Sequence, residues 1–255
     1  MINKELMKKK LESLKTNGKS DKKESVFFRP DEGDQDVRFL PSADGDPFKE
    51  YYFHYNLGEG FLCPRRNFGE KCAVCDYAFE LWKEDTDESK KSAKNLFTRQ
   101  RFFTNVILRG KEELGPKPYG YGKETYEQLI KMSLDPDYDD FTDLELGRDF
   151  KLSYTKPEKK GAYPKTKLTI KPKQTPLASS KKIIKEILDK VKPIESFLLR
   201  KSPDEVRQTL ETYLDDPFDN STNRESKLGD SVNNLSSDEE AVVTSIDQAI
   251  EELAS

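Results

Sequence analysis

His54 to Cys75 read HYNLGEGFLCPRRNFGEKCAVC, a stretch that holds every histidine and cysteine of this 255-residue chain. Its four soft ligands, His54, Cys63, Cys72 and Cys75, follow the spacing His-x8-Cys-x8-Cys-x2-Cys. Two cysteines three residues apart can bind one ion from a tight turn, and two further ligands complete a tetrahedron. Four protein ligands leave no position for a catalytic water, so the spacing predicts one structural metal ion. Thiolate and imidazole donors together favour Zn2+.

Two other interpretations of these residues are weaker. The first takes the thiols as ordinary buried side chains, which leaves their clustering with the single histidine to chance. The second is a zinc deaminase, which needs a glutamate where Asn56 stands and a proline where Lys71 stands. No second histidine exists to act as a general base. We therefore expect no enzyme and assign no catalytic residues.

Around this stretch the sequence shows the alternation of short β-strands. Apolar and polar positions alternate, with many aromatic or β-branched residues, at 36–41, 101–108, 150–154 and 168–170. Proline and glycine separate these segments, which is typical of a small barrel or sandwich.

Helices are expected at four places in the same region. Apolar residues at helical spacing mark residues 74–81, 126–130 and 183–191. A capping box at Ser202 and Glu205, with proline at the first helical position, starts a further helix.

The net charge of −4 hides an asymmetry along the chain. In residues 215–255 eleven acidic side chains face only two cations, so the preceding residues carry an excess of positive charge. We therefore divide the chain into a helical N-terminal arm over 1–20, a core over 21–214 and an acidic, largely disordered tail over 215–255 with a short terminal helix. A basic body suits a polyanion, and an acidic tail can compete for it. The alternative is a tail that only keeps the protein soluble.

Composition also bounds the class of protein. No apolar run reaches the roughly 20 residues that a membrane span needs, and the first residues lack the apolar stretch of a signal peptide. Three cysteines cannot all pair with one another, which argues against a disulfide scaffold. We therefore expect a cytoplasmic protein.

Aromatic and basic residues are interleaved in three segments of the core. Ring faces flanked by cations suit an unpaired nucleic-acid strand, because bases stack for roughly 1–3 kcal/mol each and cations neutralise phosphates. The alternative is that the rings belong to the core. Strand alternation places Tyr119 and Tyr121 on one face and sends one of Phe102 and Phe103 inward and the other outward. The candidate nucleic-acid-binding residues are Arg99, Arg101, Phe102, Phe103, Lys117, Tyr119, Tyr121, Lys123 and Tyr163.

Together these segments resemble the single-stranded-DNA-binding, helix-destabilising proteins of T-even-type bacteriophages. The resemblance rests on Val37 to Ser42 (VRFLPS), the metal-ligand spacing, Arg101 to Leu108 (RFFTNVIL) and Tyr119 to Lys123 (YGYGK), in that order. It implies a mainly β (α+β) fold: an OB-fold-like barrel with a zinc subdomain inserted at about 50–85, peripheral helices and an acidic tail. It also implies a cleft for single strands, lined by the candidate rings and cations.

The resemblance further implies that the acidic tail contacts replication and recombination proteins. Self-association on DNA is a property of the family's N-terminal arm, which carries a compact basic-Ser-Thr motif. Here Lys8 to Lys10 are followed by Leu11, Glu12 and Ser13, so the arm departs from that motif.

These observations predict a non-enzymatic protein that coats and protects unpaired DNA in phage replication, recombination and repair. It would act in the cytoplasm of the infected bacterial host. The alternative is a zinc-containing protein-interaction adaptor, a replication or transcription accessory factor that acts through its acidic C-terminal helix.

Overall fold

The computed structural model describes residues 25–157 and 164–215, which form seven strands and six helices in an α+β arrangement. The strands are β1 (Gly33–Phe39), β2 (Lys49–His54), β3 (Phe61–Leu62), β4 (Arg99–Leu108), β5 (Lys117–Tyr121), β6 (Arg148–Thr155) and β7 (Lys165–Gln174). The helices are α1 (Pro64–Phe68), α2 (Ala73–Lys83), α3 (Asp87–Leu96), α4 (Lys123–Ser133), α5 (Lys181–Leu188) and α6 (Pro203–Asp215).

All seven strands belong to one antiparallel sheet, in the order β3-β2-β4-β1-β6-β7 with β5 paired to β4. The long strand β4 organises the sheet because it pairs with three others. Phe103 lies opposite both Lys49 of β2 and Gly120 of β5, and Val106 lies opposite Phe39 of β1. The sheet curves, so that inward side chains of β5 and β7 meet in one core cluster.

That main core follows from strand alternation. Val37 and Phe39 of β1 and Phe150 and Leu152 of β6 are fully buried, and Leu129 of α4 closes the same cluster. Each fully buried side chain of this size contributes about 1.5–3 kcal/mol relative to exposure. The inward positions of four predicted strand segments therefore supply most of this core.

A second cluster lies beside β3 and is built by helices. It packs Val74 and Ala78 of α2 against Ala93 and Leu96 of α3 and Val206 of α6. The predicted helices at 74–81, 126–130, 183–191 and after Ser202 are confirmed as α2, α4, α5 and α6.

Helix α3 was not predicted, because its sequence DESKKSAKNL has few apolar residues. Its start is set instead by a capping box between Thr86 and Ser89. Only three of its ten residues, Ser89, Ala93 and Leu96, are buried, and they fall at the i, i+4, i+7 spacing of one helix face.

A buried ion network ties the segment after β7 to the sheet. Arg38 is fully buried on β1, donates to the Thr175 carbonyl, and lies 3.2 Å from Asp149 Oδ1. Arg109 Nε lies 2.9 Å from the same oxygen and its guanidinium also donates to the Leu177 carbonyl. Burial lowers the pKa of Arg38 to about 10 despite the neighbouring carboxylate. Two guanidinium groups therefore share one carboxylate.

The α+β class with a large antiparallel sheet agrees with the expectation, and the OB-fold assignment remains a prediction. Strand β2 was not predicted, although it carries His54. Residues 1–20, the expected arm, and residues 216–255 of the expected tail lie outside the described residues. Within the described ranges, each helix is too short or too polar to cross a membrane.

Candidate metal centre and nucleic-acid interface

Four elements of the fold deliver the predicted metal ligands to one point. His54 ends β2, Cys63 follows β3 and is the N-cap residue of α1, and Cys72 is the N-cap residue of α2. Cys75 lies in the first turn of α2, so the Cys-x2-Cys pair straddles a helix start. Pairing of His54 with Phe61 in the β2–β3 hairpin aligns the imidazole with Cys63.

The four donor atoms lie within 4.8 Å of one another. Cys63 Sγ is 3.5 Å from Cys75 Sγ, and His54 Nε2 is 3.4 Å from Cys72 Sγ and 3.6 Å from Cys75 Sγ. With bond lengths of about 2.3 Å to sulfur and 2.0–2.1 Å to nitrogen, a tetrahedral zinc site has edges of about 3.5–3.8 Å. These three separations fit that size, the whole donor set spans at most 4.8 Å, and all four residues are buried. The cluster can hold one metal ion.

The imidazole is oriented by a backbone contact. His54 Nδ1 lies 2.9 Å from the Leu96 carbonyl oxygen at the end of α3. A carbonyl oxygen accepts a hydrogen bond only from a nitrogen that carries a proton. Nδ1 of His54 therefore donates, and Nε2 faces the thiols as a ligand. Helix α3, which was not predicted from the sequence, therefore orients the imidazole of His54, which was predicted as a metal ligand.

Hydrogen bonds among the imidazole and the thiols shift the pKa values of His54, Cys72 and Cys75. Burial lowers the pKa of His54, but hydrogen bonds with Cys63 and Cys72 raise it more, to about 10. Hydrogen bonds from Cys63 and Cys75 lower the pKa of Cys72 below its usual range. Contacts with Cys63 and Cys72 together with burial raise the pKa of the Cys75 thiol. An ion that displaces these protons turns all three thiols into ligands.

The candidate aromatic residues lie on both faces of β4. Phe102 faces the main core with Tyr119 and Tyr121 of β5, and Phe102 and Tyr121 are register partners. The Phe102 ring stacks on Tyr126 of α4 with centroids 3.9 Å apart and planes within 8°. As predicted, Tyr119 and Tyr121 share a face.

Phe103 lies on the opposite face of β4. It packs with Tyr51 and Phe53 of β2, with centroids 6.0 Å and 5.9 Å away, and with Phe27 at 6.1 Å. Ile194, in the 3-10 segment Ile194–Phe197, belongs to the same cluster. The expectation that either Phe102 or Phe103 faces outward is wrong, because distant chain segments cover the second face.

The exposed fractions show how completely these rings are packed. They are 1% for Phe102, 0% for Phe103, 3% for Tyr119 and 2% for Tyr121. The expectation of four ring faces open to bases is therefore wrong for this conformation: the rings form core. Their contact with nucleic acid stays a prediction, and it requires packed segments to move aside. Tyr163, the fifth candidate ring, lies outside the described residues.

The candidate cations differ in exposure. Arg99, Lys117 and Lys123 are half-buried, whereas Arg101 is buried. Burial raises the pKa of Tyr55, and the positive charges of Arg101 and Arg99 oppose that rise. Arg99 and Arg101 are two residues apart on a strand, and alternate strand residues face the same side. Arg99 and Arg101 therefore share one face of β4, while Lys117 begins β5 and Lys123 begins α4.

One aromatic–cation pair was not assigned from the sequence. The Tyr52 ring is half-buried, and the Arg66 guanidinium of α1 lies 4.4 Å from its centroid. Gln100 of β4 donates to the Tyr52 hydroxyl at 3.3 Å. Asn67 holds the Tyr52 backbone on both sides, accepting from its N–H at 3.0 Å and donating to its carbonyl at 2.7 Å. Only the packing of α1 on β2 reveals this pair.

A family model for gp32 DNA-binding protein-like proteins matches residues 31–214. The chain belongs to this family. The matched range runs from just before β1 almost to the end of α6 and includes both the metal ligands and the aromatic strands of β4 and β5. No curated protein matches the chain in a direct sequence comparison.

Membership in the gp32-like family confirms the resemblance drawn from the sequence. It indicates a single-stranded-DNA-binding protein of a non-enzymatic family.

Proposed function

We propose that this protein coats and protects single-stranded DNA during phage replication, recombination and repair, in the cytoplasm of the infected bacterial host. The observation that carries the proposal is the family match over residues 31–214. Binding would shift duplex equilibria by mass action, because a ligand that prefers the unpaired strand stabilises it without ATP.

The interface would combine stacking with phosphate neutralisation. Tyr52 is our candidate ring for a base, since it is half-buried, lies beside the Arg66 guanidinium and has its backbone fixed by Asn67. Arg66 and Arg99 lie on elements next to it and would contact phosphates. The buried rings of β4 and β5 would hold the interface in shape, and would reach DNA only if α4 or the segment around Ile194 moves.

The metal ion would be one structural Zn2+ bound by His54, Cys63, Cys72 and Cys75. The donor set of three thiols and one imidazole, the separations of the donor atoms and their burial support zinc. When bound, zinc would supply the free energy that joins β2, β3, α1 and α2 into one unit. Those elements carry Tyr52 and Arg66, so the ion would also hold the proposed interface.

The remaining parts of the chain would serve association. The division into an arm over 1–20, a core over 21–214 with a zinc subdomain at about 50–85, and a tail over 215–255 is part of the proposal. The tail, with its excess of acidic residues, would contact replication and recombination proteins and would compete with DNA for the basic core. The arm would mediate self-association on DNA.

A titration with poly(dT) over a series of salt concentrations tests the proposal. We expect log K to fall linearly with log[salt], with a slope of about −0.7 for each neutralised phosphate. Binding that does not respond to salt would overturn the electrostatic mechanism, and no binding would overturn the function. Strands of different length give the site size in the same assay.

The adaptor alternative makes a different prediction for fluorescence. Trp82 of α2 is half-buried, 5.7 Å from the Phe97 ring. DNA bound next to the metal subdomain should quench the Trp82 and tyrosine emission, because bases stack on rings. An adaptor that ignores DNA would leave the emission unchanged on addition of oligonucleotide. The family match favours the DNA-binding protein.

A further inference from the structure

The outer face of β7 carries a row of lysines, defined here as Lys165, Lys167, Lys171 and Lys173. Alternate residues of a strand face the same side, and Leu168 is buried on the opposite side, in the main core. Register with β6 places Lys165 opposite Thr155 and Lys167 opposite Ser153, both outward positions. Lys173 is exposed farther along the same strand, past the irregularity in the β6–β7 pairing.

Most of the charge in this row is uncompensated. Lys171 Nζ lies 2.5 Å from Asp36, and the neighbouring Lys151 of β6 lies 2.7 Å from Asp34, so the outward carboxylates of β1 are already paired. Within residues 25–157 and 164–215, no ion pair joins Lys165, Lys167 or Lys173 to a carboxylate. All three are exposed. The row therefore presents at least three free positive charges.

Protection of an edge strand against pairing with another chain explains part of this lysine row but not its length. Lysines on an edge strand discourage pairing with another chain, and β7 ends the strand order. One or two charges are enough for that purpose. Four lysines along one strand, three of them exposed and without a carboxylate partner among the described residues, fit a ligand that is itself a row of negative charges.

The spacing of the row identifies the chemical class of that ligand. A strand rises about 3.3–3.4 Å per residue, so Lys165 and Lys167, and likewise Lys171 and Lys173, lie about 6.7 Å apart, with Thr169 between the two pairs. This distance is of the same order as the separation of neighbouring phosphates along an extended single strand. The row spans eight residue steps, about 27 Å, so one free phosphate ion would engage only a small part of it.

We propose that this lysine row binds the phosphate backbone of single-stranded DNA along the edge of β7. This inference rests on the proposed function and extends the interface away from Tyr52 and Arg66. The contacts are ionic and independent of base identity.

The test compares two triple variants of the full chain in poly(dT) titrations over a salt series. K165Q/K167Q/K173Q neutralises the row, and K83Q/K91Q/K94Q neutralises three exposed lysines of α2 and α3 with the same change in net charge. We expect the row variant to bind more weakly, with a salt slope shallower by about 2, because each lost phosphate contact removes about 0.7. The helix variant should keep the wild-type slope, and K165R/K167R/K173R should restore it.

Several results would overturn the proposal. Equal slopes in the row variant and the wild type would remove the row from the interface, as would an equal change in both triple variants. If deletion of residues 215–255 abolished the difference between them, the row would belong to the acidic tail instead of DNA. Failure of the wild-type chain to bind poly(dT) would contradict the proposed function itself, and is recognised before any variant is made.

Discussion

The Phe102 and Tyr126 rings are stacked, with centroids 3.9 Å apart and planes within 8°. This arrangement resembles the contact that a nucleobase would make with a protein ring, but both partners come from the same chain. Tyr126 therefore occupies a place on Phe102 that a base would need. Stacking of DNA on Phe102 would require α4 to move away from β4.

Phe102→Ala should lower the free energy of unfolding by about 3–5 kcal/mol, because a buried aromatic ring is removed from the main core. Urea denaturation followed by circular dichroism measures the change. Tyr126→Ala is the matched control and should cost less, since Tyr126 is only half-buried. A Phe102→Ala variant as stable as the wild type would show that the ring is dispensable for folding and is kept for another purpose.

Tyr52→Ala should reduce the affinity for poly(dT) by about 1–3 kcal/mol, the range for one base stacked on a ring. Its stability should fall by less than that of Phe102→Ala, because the Tyr52 ring is only half-buried against the helical cluster and Asn67 still holds the backbone. Tyr52→Phe keeps the ring and should bind like the wild type. If Tyr52→Ala and Tyr52→Phe bind equally well, the ring does not stack on a base.

The metal centre could be predicted from the sequence because its signal is local. The chain has one histidine and three cysteines, all within 22 residues, and Cys72 and Cys75 share one turn. Their contacts agree with that reading, since His54 Nε2 reaches both sulfurs. The contact of His54 with the Leu96 carbonyl could not be predicted. Every residue has a backbone carbonyl, and α3 has too few apolar residues to be recognised as a helix from the sequence.

The exposure of the aromatic rings could not be predicted, because alternation gives the face of a strand and not what covers it. Phe103 faces away from the main core but is buried under Phe27 and the segment around Ile194, which are far away in the sequence. Tyr52 and Arg66 form the opposite case. Their contact depends on how α1 packs against β2. Tertiary packing therefore buries the rings that were expected to bind DNA, and it places Tyr52 beside Arg66 as a new candidate.

Asp149→Ala should lower the free energy of unfolding by about 3–5 kcal/mol, because it leaves a buried guanidinium without its counter-charge. Asp149 is shared by Arg38 and Arg109 at 3.2 Å and 2.9 Å. Asp34→Ala removes a carboxylate from an exposed pair with Lys151 and is the control, for which we expect little change in stability. Equal stabilities for the two variants in urea denaturation would contradict a buried network.

Removal of the metal ion should destabilise the helical cluster around α2, α3 and α6 before the main core. Structural zinc contributes an apparent 10–16 kcal/mol, roughly, in small domains, and here the ligands lie inside that cluster. His54→Ala should lose the ion and unfold at a lower temperature. His54→Cys offers a fourth thiolate and should retain the ion, even though it loses the contact with Leu96. Metal analysis and thermal denaturation of both variants show whether His54 acts as a metal ligand or only as a buried side chain. A buried side chain without ligation would give the same metal content in both variants.

Metal affinity should rise with pH, because protons compete for the same donor atoms. Burial lowers the pKa of His54, but hydrogen bonds with Cys63 and Cys72 raise it from 6.5 to about 10, so a proton competes with an ion for the imidazole. Folding stability depends on pH in the opposite direction to metal affinity. The raised pKa of His54 stabilises the fold fully below about pH 6.5, and this contribution is lost as the pH rises through about 10. Competition titrations with a chromophoric chelator should therefore give tighter binding at mildly alkaline than at mildly acidic pH. An affinity independent of pH would mean that the donors carry no protons to displace.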